Sequence, residues 1–171
     1  TIVDQLKRFV YSKSALSRLL QINIAVFILT GIINVFFFLY KIPGEITIGK
    51  YVQSRIAMWL AVPADTHILL QKPWTLVTYM FLHFNFMHIF FNMLMLYFGG
   101  TLFMQFLGGR KLVNTYIAGG IAGALLFIFA FNIFPAFNEI TPYAVAMGAS
   151  ASVLSILIAI AVYVPDYIVN L

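Results

Sequence analysis

The 171 residues are 63% hydrophobic and only 9% charged, with a net charge of +5. An average soluble domain carries about 25% charged residues, so five acids and ten bases cannot coat this much apolar material, and a water-soluble domain is excluded. The sequence contains no cysteine, which excludes disulfides, thiolate metal sites and a cysteine nucleophile. Its bases are scattered among apolar runs, which favours lipid headgroups over nucleic acid as their partner.

Four apolar runs are long enough to cross a membrane, because about 20 helical residues span the hydrocarbon core. They cover residues 19–40, 83–104, 112–134 and 143–164, and none contains Asp, Glu, Lys or Arg. One charged side chain at mid-bilayer costs about 2.5 to 3.5 kcal/mol, so the lack of charge supports all four spans. The sequence therefore predicts an all-α, polytopic transmembrane helix bundle, with residues 1–171 forming a single membrane domain.

Basic residues near the spans predict the orientation of the chain in the membrane. The bases that precede the first run are Lys7, Arg8, Lys13 and Arg18. Arg110 and Lys111 lie between the second and third runs, whereas residues 135–142 contain no Lys or Arg. The pattern predicts a cytoplasmic N-terminus, with residues 41–82 and 135–142 on the outer side.

The connection formed by residues 41–82 contains an amphipathic pattern. Apolar residues recur at helical spacing from Val52 through Ile56 to Leu60, and Pro63 follows. This predicts a helix in the headgroup layer, either a simple connector or a functional lid. The rings of Tyr51, Trp74 and Tyr79 are expected to anchor the loop at the interface.

Polar side chains within the second run converge on one helix face. His88 and Asn92 are four residues apart, which places them within about 40° of each other around a helix, so they can meet one ligand. His83 would lie about 140° from His88 on the same helix, which disfavours a metal or haem site and predicts no cofactor. The alternative role of His88 and Asn92 is structural, as hydrogen-bonding ties between helices.

Small residues mark the later runs. Gly99, Gly100, Gly119 and Gly123 have the spacing that lets helix backbones approach closely. In the fourth run, Gly148-Ala149-Ser150 leaves room for a carbonyl group to approach a serine nucleophile, although small residues in a membrane helix also serve packing alone. No span contains a carboxylate, so such a serine would have to work with histidine only.

The two polar clusters together resemble the rhomboid family of intramembrane serine proteases. The resemblance rests on a Trp74-containing outer loop, the string His83-x4-His88-x3-Asn92 at the start of a span, and Gly148-Ala149-Ser150 at the start of a later one. It implies a rhomboid-like bundle in the bacterial inner membrane that hydrolyses transmembrane protein substrates. It also implies site roles: Ser150 as nucleophile after Gly148, His88 and Asn92 as oxyanion donors, and His83 as a support for the site.

The sequence departs from the family pattern at four positions. Thr75 stands where the family has the arginine of a Trp-Arg pair, Met104 where it has a glutamate, Ala151 where it has a glycine, and Leu154 where an aromatic residue is frequent. The catalytic histidine of the family lies on a later span and matches neither His83 nor His88. We therefore expect the sequence to be the N-terminal part of a protease and to be inactive by itself.

Two functions remain open from the sequence. The first is the serine endopeptidase, and the alternative is a non-catalytic rhomboid-like protein that binds transmembrane segments. A channel or transporter would need polar residues distributed along several spans, and the sequence offers too few of them.

Overall fold

The computed structural model describes residues 12–48 and 51–163, without the side chains of residues 47, 48 and 51–53. The helices in this part are α1 (Ala15–Leu39), α2 (Arg55–Leu60), α3 (Thr66–Gln71), α4 (Thr75–Thr78), α5 (Phe86–Leu107), α6 (Gly109–Ile133) and α7 (Ser150–Tyr163). Short 3₁₀ turns cover Tyr79–Phe81 and Pro135–Phe137. The strands are β1 (Glu45–Ile48), β2 (Tyr51–Ser54), β3 (Val62–Pro63) and β4 (Val145–Ala146). The predicted roles of Lys7, Arg8, Tyr51 and Val52 concern residues or side chains outside the described part.

Three of these helices, α1, α5 and α6, are long and apolar enough to cross a membrane. These three helices confirm the all-α, multi-pass fold. Each helix begins and ends within a few residues of the apolar run that predicted it. The second run begins as a helix at Phe86 instead of residue 83, because Asn85 caps the helix and its side-chain oxygen accepts the backbone N–H of His88 at 2.8 Å.

The fourth predicted run is helical only from Ser150 onward. Residues 143–149 form a turn and strand β4 instead, and the described part of α7 has 14 residues, fewer than a full crossing requires. Gly148 interrupts the apolar run at a φ of +119°, a backbone conformation that L side chains rarely adopt. The prediction of a span starting at residue 143 is therefore wrong at its beginning.

Glycines bring the long helices into contact, as the spacing predicted. A methyl group on Gly99 would lie 2.5 Å from Leu157 of α7, and one on Gly100 would lie 2.6 Å from Leu16 of α1. Methyl groups on Gly119 and Gly123 of α6 would overlap side chains of α7. The close approach of α6 and α7 therefore depends on residues without side chains.

A buried polar cluster joins α1 to α6. The side-chain amide of Asn23 donates to the Tyr116 hydroxyl at 3.1 Å, and that hydroxyl can donate to the carbonyl of Met80 at 3.2 Å. Both polar side chains are fully buried. In a membrane interior such bonds satisfy groups that lipid cannot solvate, so the cluster fixes the first span against the third.

The predicted outer loop is folded onto the segment that precedes Ser150. Strand β3 pairs with β4 in antiparallel fashion, with Val62 opposite Ala146. The side chain of Asn132, at the end of α6, donates to the carbonyl of Ala64 at 2.8 Å. The outer loop thus contacts the chain on both sides of residues 135–142, so the two connections predicted to lie outside are at the same end of the bundle.

A lysine braces this loop. The Lys72 ammonium group donates to the carbonyl of Met58 at 2.9 Å and lies 4.9 Å from the centre of the Trp59 ring. The indole N–H of Trp74 donates to the carbonyl of Trp59 at 2.9 Å. The Lys72 ammonium group thus stabilises the loop, in which Thr75 stands at the position of the family's arginine.

The amphipathic helix in the loop is shorter than its pattern predicted. It begins at Arg55, because the preceding residues pair in β2, and it ends at Leu60, before Pro63. Trp59 and Trp74 are exposed, as interfacial anchors should be, but Tyr79 is only 4% exposed. The prediction of Tyr79 as an interfacial anchor is therefore wrong.

Candidate active site

The capped start of α5 carries two of the predicted site residues. Asn92 lies one turn after His88, and its side-chain amide donates one hydrogen to the His88 carbonyl at 2.8 Å. An amide nitrogen carries two hydrogens, so a second donor remains for a ligand. The polar face predicted from the spacing of His88 and Asn92 is present.

The turn before α7 explains why glycine stands at position 148. Gly148 adopts a positive φ, and a methyl group there would lie 2.6 Å from both Cε1 and Nε2 of His88. The backbone N–H of Gly148 donates to the carbonyl of Tyr79 at 2.8 Å. Because Gly148 has no side chain, the imidazole of His88 can pack directly against the turn that precedes Ser150.

Ser150 is the first residue of α7, and its side chain is exposed. The backbone N–H groups in the first turn of a helix have no partner within the helix, and the helix dipole makes that end positive. Ala149 precedes the helix and has no side-chain oxygen to cap these donors. The start of α7 can therefore stabilise negative charge that develops beside the Ser150 hydroxyl.

Ser150 and Asn92 line the same shallow, open cavity on the surface, of about 380 Å³. The rest of its wall is apolar and consists of Phe91, Met95, Val153, Leu154 and Leu157. His88 does not belong to this lining, because its ring faces Gly148. The structure thus brings Asn92 and Ser150 to one lining across α5 and α7, and it places the His88 ring against Gly148, two residues before the serine.

His83 lies before α5, and this corrects the helical geometry assumed for it. Because the helix starts at Phe86, the chain can bend back and place the His83 ring 5.1 Å from that of His88, edge to face. The expectation that the two imidazoles would diverge is wrong. The two rings are in contact, and His83 is only 5% exposed.

The environment of His83 keeps its imidazole neutral. Burial is the main cause that lowers the pKa of His83 to about 4, and the charge of His88 lowers it further. The hydrogen bond with the Phe81 carbonyl has a smaller, opposite effect on this pKa. Its Nδ1 lies 3.2 Å from that carbonyl, whereas its Nε2 is buried without a hydrogen-bond partner among the described residues. A larger cavity of about 650 Å³, between α1 and the outer loop, is lined in part by His83.

Sequence reasoning missed the part that Tyr79 plays at this site. Its carbonyl accepts a hydrogen bond from the backbone N–H of Gly148, and its hydroxyl donates to the Gly120 carbonyl of α6 at 2.5 Å. The sequence offered only an aromatic ring with a polar end near a predicted interface, and that signal does not separate a buried ring from an exposed one.

Comparison with known proteins identifies the family. The model of the Rhomboid domain matches residues 70–170, which is more than half of the chain. The chain belongs to the rhomboid family. It is thus a multi-pass integral membrane protein and a homologue of the rhomboid intramembrane proteases.

The chain is also similar to curated rhomboid proteins. Those of Salmonella newport (strain SL254), Salmonella heidelberg (strain SL476) and Salmonella typhi, each named rhomboid protease GlpG, are 36% identical to it over 71 residues. The aligned segment covers 41% of this chain and 25% of each relative. The match therefore spans about a quarter of the relatives' length.

Proposed function

We propose that this protein is an intramembrane serine endopeptidase that hydrolyses peptide bonds in or near transmembrane segments of its substrates. Ser150 attacks the scissile carbonyl, and Asn92 and His88 stabilise the oxyanion together with the N–H groups at the start of α7. Gly148 shapes the turn and His83 supports it. No cofactor is part of this mechanism.

One observation carries the proposal: a positive-φ glycine presents Ser150 at a helix start, on a cavity that it shares with Asn92. A tetrahedral intermediate beside this apolar wall, within a bilayer, carries a negative charge that lipid does not solvate. Donors held in place before the reaction are worth most in such surroundings. This arrangement supports acyl transfer at Ser150 with Asn92 as an oxyanion donor.

The general base that would deprotonate Ser150 is inferred from the family resemblance alone. The hydroxyl of Ser150 needs a partner that accepts its proton and later gives it to the leaving amine. The resemblance implies a histidine outside this sequence for that role. Cleavage is therefore to be measured on a full-length protein that carries this segment.

We also propose the orientation predicted from the bases. Both connections predicted to be external lie at the end of the bundle that holds Ser150, and the Arg110 and Lys111 pair begins α6 at the other end. With the N-terminus in the cytoplasm of a bacterial cell, the serine lies near the outer face of the inner membrane. Substrates would then be cut on that side.

The test compares two neighbouring serines. Ser150→Ala should abolish cleavage of a transmembrane reporter in the full-length protein, because the nucleophile is gone. Ser152→Ala is the matched control, since the Ser152 hydroxyl is buried and without a hydrogen-bond partner among the described residues. It should retain activity. A Ser150→Ala protein that still cuts like the wild type would refute the role of Ser150.

The departures from the family pattern favour a second candidate, a rhomboid-like protein that binds transmembrane segments without cutting them. Leu154, in place of the frequent aromatic residue, lines the cavity beside Ser150 and is 56% exposed. A wild-type protein that retains the reporter in detergent pull-down without cleaving it would support this candidate over the protease.

A further inference from the structure

Tyr79 is bonded at both of its ends to elements that the mechanism needs. It begins the 3₁₀ turn Tyr79–Phe81, and its ring is 4% exposed. Its hydroxyl donates to the Gly120 carbonyl of α6, and its own carbonyl accepts the N–H of Gly148. Burial raises the pKa of the Tyr79 phenol, so the group stays a neutral donor.

The space around this contact is filled. A methyl group on Gly123 would lie 3.4 Å from the Tyr79 hydroxyl and would also overlap Ala151, the residue after Ser150. A methyl group on Gly120 would lie 2.6 Å from the hydroxyl of Ser152. The ring of Tyr79 therefore occupies a slot beside α6 glycines that also contact the first turn of α7, with little room to shift.

The hydrogen bond to Gly148 acts on the serine through a short piece of chain. Gly148 is two residues from Ser150, and the Ala149 carbonyl between them accepts the first helical hydrogen bond, from Val153 at 2.8 Å. Ala149 is fully buried. A displacement of the Tyr79 carbonyl would therefore move the start of α7.

We propose that Tyr79 is a positioning residue for the nucleophile: its hydroxyl, anchored on α6, holds the carbonyl that fixes the Gly148 turn and thereby places Ser150. The proposal rests on the proposed function for its catalytic consequence. Tyr79 itself does not line the cavity that holds Ser150, so it acts through the turn. It should affect the rate of acylation and leave substrate binding unchanged.

The test removes one oxygen atom from each of two buried tyrosines. Tyr79→Phe deletes the bond to Gly120, and Tyr116→Phe deletes a hydroxyl that contacts Met80 and Asn23 in the same region. Amide hydrogen exchange of Gly148 and the amide chemical shift of Ser150 are measured by NMR on the full-length protein. Cleavage of the transmembrane reporter is measured in parallel, with kcat and KM separated.

Tyr79→Phe should speed exchange at Gly148 and lower kcat, each by about fivefold to tenfold, the value of one ordinary hydrogen bond. It should shift the Ser150 amide signal, with KM unchanged. Tyr116→Phe should lower the unfolding temperature yet leave Gly148 exchange, the Ser150 signal and kcat as in the wild type. Unchanged Gly148 exchange in Tyr79→Phe, or equal changes in both variants, would overturn the proposal.

The two proposals fail in different ways. If the amide signals respond as expected but the wild-type protein does not cleave, the coupling of Tyr79 to Ser150 stands and the protease function is refuted. If the wild type cleaves and Tyr79→Phe has normal amide signals and kcat, the positioning role is refuted and the protease function stands.

Discussion

Gly148→Ala should be strongly destabilising because it introduces two separate costs. The added Cβ lies 2.6 Å from two atoms of the His88 ring, and the φ of +119° does not suit an L side chain. Backbone strain of this kind costs of order 1–3 kcal/mol. Overpacking adds about 1–3 kcal/mol. The free energy of unfolding should therefore fall by about 2–6 kcal/mol.

Gly108 provides a matched control. It also has a positive φ, +80°, but a methyl group there would meet nothing within 4 Å. Gly108→Ala should therefore cost only the backbone part, about 1–3 kcal/mol. Unfolding in mild detergent, followed by the tryptophan fluorescence of the chain, gives the difference between the two variants.

A double-mutant cycle isolates the contact with His88. In a His88→Ala background the ring is gone, so Gly148→Ala should lose its steric part and cost no more than Gly108→Ala. Equal costs for the two glycine substitutions in the wild-type background would refute the packing of His88 against the serine turn. The absence of coupling between positions 88 and 148 would refute it as well.

Three further predictions concern the oxyanion donors, His83 and the loop. Removing one donor by His88→Ala or Asn92→Ala should lower the cleavage rate of the full-length protein by about 10²- to 10³-fold with the fold retained; wild-type rates would exclude these donors. Because the folded pKa of His83 is about 4 against 6.5 for a free imidazole, its neutral form stabilises the fold above pH 6.5. That stability should be lost as the pH falls towards 4, by at most about 1.4 kcal/mol per pH unit; His83→Gln should flatten the pH dependence of unfolding, and an unchanged slope would contradict the shift. Lys72→Met should lower the free energy of local unfolding of the loop by about 0.5–1 kcal/mol and therefore speed amide exchange at residues 59–61. The same substitution at exposed Lys41 should leave this exchange unchanged.

Most of the helical framework could be predicted from the sequence because apolar length alone selects membrane spans. Glycine spacing also predicted faces of close helix contact, as at Gly99 and Gly123. The errors lie at helix ends, where single residues outweigh the apolar pattern. Asn85 starts α5 three residues later than the run does, and Gly148 delays α7 to Ser150.

The contacts within the candidate site were harder to predict. The angle between His83 and His88 assumed one continuous helix, and the cap at Asn85 removed that assumption. The spacing of His88 and Asn92 correctly predicted a shared face, because periodicity is a local property. The link from Tyr79 to Gly148 joins residues far apart in sequence through backbone atoms, and a single sequence carries no signal for such a bond.

Covalent labelling distinguishes an activated nucleophile at Ser150 from a serine that only packs. The full-length protein would be treated with a fluorophosphonate, which phosphonylates activated serines with loss of fluoride, and the adduct would be located by peptide mass spectrometry. We expect one modified serine, Ser150, and loss of the adduct in Ser150→Ala but not in Ser152→Ala. A folded protein that cleaves the reporter while Ser150 stays unmodified, or that carries the adduct on another serine, would contradict the proposed site.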